Sequence, residues 1–483
     1  MMIGDWKTLA TFPAQFEAFF NDHFGFRNRL VEAYSLLSVA LESSPNSQIV
    51  VGTEGWYYYA GSGEVNNVEN YRNTNPLTPQ ELWQWKWSLE TKYHWLKKKG
   101  INYVMVIVPE KHTIYGEYYP SRIQQVGRQS HLDQLIEYMK DSEVPILDLR
   151  QPLLQAKPVG LLYYKTDSHW NSLGAAVAQY EIMQYVAKKY PIIHPIQYQA
   201  EDFSWFKKSN FDLVAMVNLH NIIEESPALI KKRFPKCDRF ALEKQAYFPQ
   251  VEDETREPFS TDCHQPGTPY VLIFRDSFFN QLQPYISQYF SNATYVWTRP
   301  DFNTLEQFVK DQPTDIVIEE WLERFIKMIP KLPTPEDEAY QVLLERCFQA
   351  GETVYQMTED RQKGVAALQQ IKIIPAEQGY KLISQGEDPY FVLPKFEASA
   401  AWRYVIKIGL QGPQPTTWQI FYKTPQEPAF NEENSMSGQL HSGDNTFFVI
   451  LDGEDAPMQV RIDPGTVSGE YLLKSLEVRA VRK

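Results

Sequence analysis

The stretch YYKTDSHWNSLGAAVAQYEI, which begins at Tyr163, sets Asp167 two positions before His169 and then runs into an amphipathic helix. In extended chain that spacing projects both side chains to one side. A carboxylate so placed can hold the imidazole in one tautomer while the ring takes a proton from a hydroxyl. The same residues also make a plain helix start, with Asp167 or Ser168 as cap and the helix beginning near His169 or Trp170. A hydroxyl for such a base stands in YVLIFRDSFFNQLQPYISQYF, where an apolar strand ends in Arg275-Asp276-Ser277 and a helical segment follows. A serine at a strand-to-helix junction is presented at the C-terminal edge of a sheet, with backbone N–H groups of the helix start open to an oxyanion. Here too a cap competes, since Asp276 or Ser277 can simply close the helix start. Ser277, His169 and Asp167 are the candidate nucleophile, base and acid, and Ser168 is read as the cap.

One sheet must bring those residues together. The run INYVMVIVP from Ile101 is almost continuously apolar and ends in proline, as expected of a strand covered on both faces. VPILDL from Val144, ATYVW from Ala293 and TDIVIEEW from Thr314 repeat the pattern, each beside helical segments such as SHLDQLIEYMK and TLEQFVKD. Strands alternating with helices predict an α/β fold, a mostly parallel sheet with helices on both faces and functional residues beyond the carboxyl ends of its strands. The spacing of Thr78 and Glu81, Pro79 at the first helical position and Gly100 at the end predict a helix over about 78–99. Its tryptophans, in WQWKW, are read as core, and its closing KKKG as cations complementing the last carbonyls.

From Pro330 the texture changes to the proline-rich, acidic PKLPTPEDEAYQ and an expected connecting helix, and beyond about Val365 to short alternating runs broken by Gly, Pro, Asn and Asp. The expected organisation is an α/β domain over 1–330, a linker and helix over 331–364, and an antiparallel β-sandwich over 365–483.

The formal net charge of -13 argues against nucleic acid as the main partner. Cys237, Cys263 and Cys347 are far apart and without metal spacing, so neither a disulfide framework nor a zinc site is expected. His112, His194 and His264 lack partners at ligand spacing, and no metal or cofactor is expected. Glu319, Glu320, Glu323 and Arg324 follow a strand and are read as local ion pairs, with a paired-carboxylate glycosidase site as a remote option. No apolar run is long enough to span a membrane and no export signal is seen, so a soluble chain is expected.

From roughly Phe24 to Phe325 the chain resembles the alginate O-acetyltransferase family of the AlgJ and AlgX type, whose catalytic domain is a circularly permuted relative of the SGNH hydrolases. The segments that carry the resemblance, in order, are DHFGFRNRL from Asp22, GTEGWYYY from Gly52, VPEKHTIYGEYYP from Val108, TDSHWN from Thr166, FDLVAM from Phe211, IFRDSF from Ile273 and DIVIEEWLERF from Asp315. The resemblance implies a triad of Ser277, His169 and Asp167. One departure is Arg275, which stands where the family pattern has glycine; an arginine there narrows the site or stabilises developing negative charge. Lys111 and Tyr115, in the matching loop after a strand, and Arg299 are weaker substrate-binding candidates.

In the sandwich, Trp402 and Trp418, with Tyr404, Tyr390, Phe421 and Tyr422, are candidates for stacking on sugars or for filling the core. The ending VRIDPGTVSGEYLLKSLEV is similar to β-sandwich modules attached to polysaccharide enzymes. Together these resemblances imply O-acetyl transfer to an exopolysaccharide or cell-wall glycan through an acetyl-serine. The rivals are an acetylesterase with the same triad and an inactive polysaccharide-binding scaffold. The implied partners are a polysaccharide acceptor and an acetyl donor such as a membrane acetyl-transfer protein. The implied location is the periplasm or cell envelope, with an upstream signal or anchor missing from this sequence.

Overall fold

The apolar run at Ile101 forms the strand Asn102–Val108, buried throughout from Tyr103. Burial on both faces explains why its pattern does not alternate. It lies second in a sheet ordered Ile146–Asp148, Asn102–Val108, Ile316–Leu322, Tyr270–Arg275, Asn292–Trp297, Phe259–Asp262 and Asp238–Ala241. The first five strands pair in parallel, and the last two join antiparallel. This is an α/β fold with a parallel-rich sheet, followed by C-terminal antiparallel sheets. The computed structural model describes residues 11–12, 14–17, 25–250, 253–334, 337–357, 365, 367–386, 388–423, 428–453 and 458–482. The start of the DHFGFRNRL segment, at 22–24, and residues 335–336 and 358–364 of the expected linker lie outside these.

Among the described residues the chain forms two compact units, one of residues up to Lys86 with Ile101–Pro300 and Gln307–Ile329, the other of Trp87–Gly100, Asp301–Glu306 and Pro330–Lys483. In the first, Val104, Val106, Ile273 and Ile318 of the sheet pack with Ile182 and Met183 of the helix Ser172–Ala187 and with Leu282 and Ile286 of Phe279–Ser287. Close approach of the first helix depends on Gly174, where a Cβ would lie 2.3 Å from the Leu162 carbonyl oxygen and 2.9 Å from the Trp170 Cβ. Any side chain there would push the helix off the loop that carries Asp167 and His169.

The helix predicted over 78–99 runs Pro79–Lys98. Thr78 and Glu81 bond reciprocally, with Thr78 N donating to Glu81 Oε2 at 2.7 Å and Glu81 N to Thr78 Oγ1 at 3.2 Å. Trp85 is fully buried and donates from its indole to the Ile326 carbonyl at 2.9 Å.

The cysteine expectation is corrected: Cys237 and Cys263 form a disulfide, 26 positions apart. Antiparallel pairing of Asp238 with Asp262 sets the two residues just beyond those partners opposite each other. Only strand register, which spacing does not disclose, brings them together.

The second unit holds two antiparallel sheets. One orders Ile371–Pro375, Tyr380–Ser384, Gly469–Arg482, Trp402–Gly412 and Gly443–Asp452; the other Ala367–Gln369, Tyr390–Val392, Gln459–Asp463, Thr416–Lys423 and Ser435–Leu440. Leu382, Phe391, Ile406, Ile420, Val460 and Val478 fill the space between them. Glu352–Gln356, inside the segment expected to be linker, is also a strand and pairs with Gly469–Arg482.

Candidate active site

The loop bearing Asp167 and His169 is closed at its base by a bridge between Tyr163 and Trp170 and by Asn171 N donating to the Leu162 carbonyl at 2.8 Å. The following helix begins at Ser172, later than the sequence suggests, and its cap is Asn171, whose side chain accepts from Leu173 N and Gly174 N. Ser168 is therefore not the cap. Its hydroxyl donates to Asp212 Oδ2, and its N–H to Asp212 Oδ1 at 2.7 Å.

Lys111 braces the loop from beneath. Buried to 2 % exposure, its ammonium donates to the carbonyls of Tyr164, Lys165 and Asp167 at 2.8, 2.9 and 2.8 Å. Burial lowers its pKa to about 8, against the pull of nearby carboxylates such as Glu225 and Asp212. On the other side Glu225 accepts from Lys165 N at 2.7 Å and Thr166 Oγ1 at 2.8 Å.

The loop so held presents an ordered chain of contacts. Asp167 Oδ1 lies 2.7 Å from His169 Nδ1, and His169 Nε2 lies 2.8 Å from Ser277 Oγ. Asp167 also accepts from His169 N at 3.0 Å and from Asp212 N at 3.2 Å. Burial alone would raise the Asp167 pKa, but the imidazole and these N–H donors bring it down to about 2. The His169 pKa is raised: burial opposes its charge, and the Asp167 hydrogen bond and charge outweigh burial. An imidazole held this way can take the Ser277 proton and share the resulting charge with Asp167.

Asp212 is a member of this cluster that the sequence reading did not single out, although it lies in the FDLVAM segment. Its Oδ2 is 3.7 Å from His169 Nδ1, and burial, then the charge of Asp167, raises its pKa. Ligand-type atoms of Asp167, His169 and Asp212 lie within 4.8 Å of one another, a clustering that spacing did not disclose. Asp167 Oδ1 and His169 Nδ1 face each other at 2.7 Å, a contact through which the carboxylate can hold the imidazole in one tautomer.

Ser277 sits in the turn between Tyr270–Arg275 and the helix Phe279–Ser287. The turn is fastened by Asp276, whose N–H donates to Glu320 Oε2 at 2.8 Å and whose Oδ1 accepts from Phe278 N at 2.8 Å. Phe278 N–H is thus committed to Asp276, while the Ser277 hydroxyl faces His169. Glu320, wholly within the sheet, has its pKa raised by burial and by Asp276.

Arg275 is buried, donates to Asn280 Oδ1 at 2.6 Å and the Asp276 carbonyl at 3.3 Å, and lies over the Trp297 ring. Burial lowers its pKa to about 10. Tyr115 is buried, its hydroxyl accepting from Leu162 N at 2.9 Å, and the Arg299 guanidinium stacks on Phe325 at 4.0 Å. Lys111 therefore bonds the loop of Asp167 and His169, and Tyr115 bonds Leu162 at the base of that loop. In the other unit, Trp418 is 3 % exposed and stacks on Phe447 with ring centroids 4.2 Å apart, so it fills the sandwich core; Trp402 is half-buried.

Residues 49–242 match the family model of the SGNH hydrolase-like domain of acetyltransferase AlgX. Asp167, His169 and Asp212 lie inside this match and Ser277 beyond it. The chain is 23% identical over 195 residues to a probable alginate O-acetylase AlgJ of Pseudomonas syringae, covering 39% of this chain and 44% of the relative. With the corresponding protein of Pseudomonas putida it is 30% identical over 94 residues, 20% of this chain and 24% of the relative. It thus spans less than half the length of these curated relatives. Among solved structures, the O-acetyltransferase domain of Pseudomonas putida AlgJ aligns with TM-score 0.39 and 18% identity over 61% of this chain and 98% of that one. Pseudomonas aeruginosa AlgX aligns with TM-score 0.36 and 13% identity over 90% and 94%.

Proposed function

We propose that this chain, whose residues 49–242 match the family model of the SGNH hydrolase-like domain of acetyltransferase AlgX, is a serine-dependent O-acetyltransferase acting on hydroxyls of an exopolysaccharide or cell-wall glycan. The observation that carries the reading is the continuous contact from Asp167 through His169 to Ser277. Ser277 Oγ attacks the carbonyl carbon of an acetyl ester as His169 Nε2 takes its proton. The imidazolium, supported by Asp167, returns that proton to the departing alcohol and leaves acetyl-Ser277. A sugar hydroxyl then attacks the acetyl carbonyl, gives its proton to His169, and the freed serine oxygen recovers it.

Curated relatives described as alginate O-acetylases support a polysaccharide as acceptor. The acetyl donor in this reading is a membrane acetyl-transfer protein. The Cys237–Cys263 disulfide fits an oxidising compartment and so supports a periplasmic or cell-envelope setting. The β-sandwich, with the half-buried Trp402 as its remaining tryptophan candidate, holds the polymer and raises its local concentration.

Incubating the protein with a small acetyl ester, with and without glycan, and locating added acetyl by peptide and sugar mass tests the reading. Acetyl on Ser277 followed by acetylated sugar is expected. Acetate release alone would make the protein an esterase, and an unlabelled Ser277 in folded protein would make it a scaffold.

A further inference from the structure

The helix Arg27–Ala40 turns its small polar residues inward: Ser35 and Ser38 are its buried side chains, while Leu30, Tyr34, Leu36 and Leu37, with Leu41 at the C-cap, are 43–70 % exposed. At about 100° per residue, Leu30, Tyr34, Leu37 and Leu41 fall within about 60° of one another, and Leu36 with the exposed Ala33 and Ala40 widens the apolar arc to about 160°. An apolar face of a surface helix normally points to the core, and here it points to solvent. Exposed leucines scattered singly need no explanation, but a contiguous face marks a surface that something covers. The helix is tied to the loop of Asp167 and His169 through two strands: Val39 packs against Ile49, Val51 and Tyr57, and Tyr57 N donates to the Lys165 carbonyl at 2.9 Å.

Charge says what covers it. Arg27 and Arg29 stand in the first turn on either side of the leucine stripe, both exposed, and neither has an ion-pair partner among the described residues. Phe26 supplies no side-chain cap and the first turn holds no acidic residue, so the partial positive charge of the helix start adds to theirs. Cations at that end oppose the macrodipole, and an anion from outside relieves both. Glu32 lies outside the arc and is half-buried, and the exposed Glu42 lies past the opposite end. An arc this wide exceeds the narrow seam of a coiled coil, whereas apolar residues with a tyrosine and flanking arginines suit the boundary between headgroups and acyl chains. With 14 residues the helix is too short to cross a bilayer and can only lie in its surface. We propose that this face docks the protein on an anionic lipid surface, with Leu30, Tyr34, Leu37 and Leu41 in the boundary and Arg27 and Arg29 on lipid phosphates. Such docking holds whether Ser277 transfers an acetyl group or hydrolyses it.

Sedimentation of the full-length chain with vesicles of phosphatidylcholine, and with vesicles of an equal mixture of phosphatidylcholine and phosphatidylglycerol, tests this. Binding to the mixed vesicles is expected to be at least about tenfold tighter, since each arginine near an anionic surface adds to the attraction. Leu30→Ser combined with Leu37→Ser should weaken binding to the mixed vesicles about tenfold or more. Arg27→Gln combined with Arg29→Gln should remove the preference for phosphatidylglycerol. All four positions are exposed, so both double variants should melt with the parent protein, and lost binding is then not lost folding. No binding to the mixed vesicles, equal binding to both kinds, or binding that the leucine variant leaves unchanged would overturn the proposal. Sedimentation equilibrium without lipid reads the other occupant: a dimer that the leucine variant dissociates would assign the face to a second copy of the chain instead.

Discussion

Trp170 donates from its indole to the Phe278 carbonyl at 2.9 Å, directly beside the 2.8 Å contact between His169 and Ser277. Both pairs are 108 positions apart, so two neighbouring residues of one loop are matched to two neighbouring residues of one turn. The Phe278 ring completes the clamp at 4.7 Å from the imidazole. The indole bond thus ties the loop bearing His169 to the turn bearing Ser277.

Replacing that donor while keeping an aromatic ring should loosen the alignment. Trp170→Phe is expected to lower the rate of acetyl-Ser277 formation about 10–100-fold, since small misplacements of reacting groups are costly. Loss of the bond and of ring volume should cost about 1–3 kcal/mol of stability. Burst kinetics with a small acetyl ester and denaturant unfolding measure the two effects; an unchanged burst would remove Trp170 from the positioning role.

Hydroxyls on both sides of His169 are separable by substitution. Ser277→Ala should abolish acetyl-enzyme, whereas Ser168→Ala should leave the acetyl group on Ser277. The helix-cap cost of about 0.5–2 kcal/mol should appear in Asn171→Ala and not in Ser168→Ala. Peptide mass mapping and urea melts check both halves, and acetyl on Ser168 would reassign the nucleophile.

The histidine must be neutral to accept a proton, and its pKa is raised above 6.5. Acetyl-enzyme formation should therefore rise with pH, with its midpoint above 6.5. Asp212 contributes to that elevation, so Asp212→Asn should move the midpoint to lower pH. For stability the signs differ. The His169 contribution is full below its unfolded pKa and is lost as pH rises through the folded value. That of Asp167, whose folded pKa is about 2, is present above the unfolded value and is lost as pH falls towards 2. A pH–rate midpoint unmoved by Asp212→Asn would show that this carboxylate does not act on the imidazole.

The disulfide closes a loop between residues 26 positions apart. Replacing Cys237 and Cys263 together by serine should lower stability by about 2–4 kcal/mol. The single thiol Cys347 lies in the other unit and should react with a maleimide whether or not the pair is reduced. Thiol counting before and after reduction, with melts of the double variant, provides the check.

Much of this protein is written in short stretches of its sequence. Continuous apolar runs at Ile101, Tyr270 and Thr314 announced strands buried on both faces, and Thr78, Glu81 and Gly100 marked the ends of a helix, because hydrophobic period and capping act over a few residues. Aspartate at 167, histidine at 169 and serine after a strand at 277 were legible as residue types able to do acyl-transfer chemistry, and their neighbours as strand-to-helix junctions. Only the tertiary structure decided that Asn171, and not Ser168, caps the helix, that Asp212 joins the imidazole, that Cys237 meets Cys263, and that Trp418 is core. Each of these depends on which distant segment lies opposite, and so on register and packing across the whole domain. Lys111 shows the difference most plainly: its sequence position suggested a group for substrate, whereas burial obliges its ammonium to satisfy three backbone carbonyls of the loop that holds Asp167 and His169.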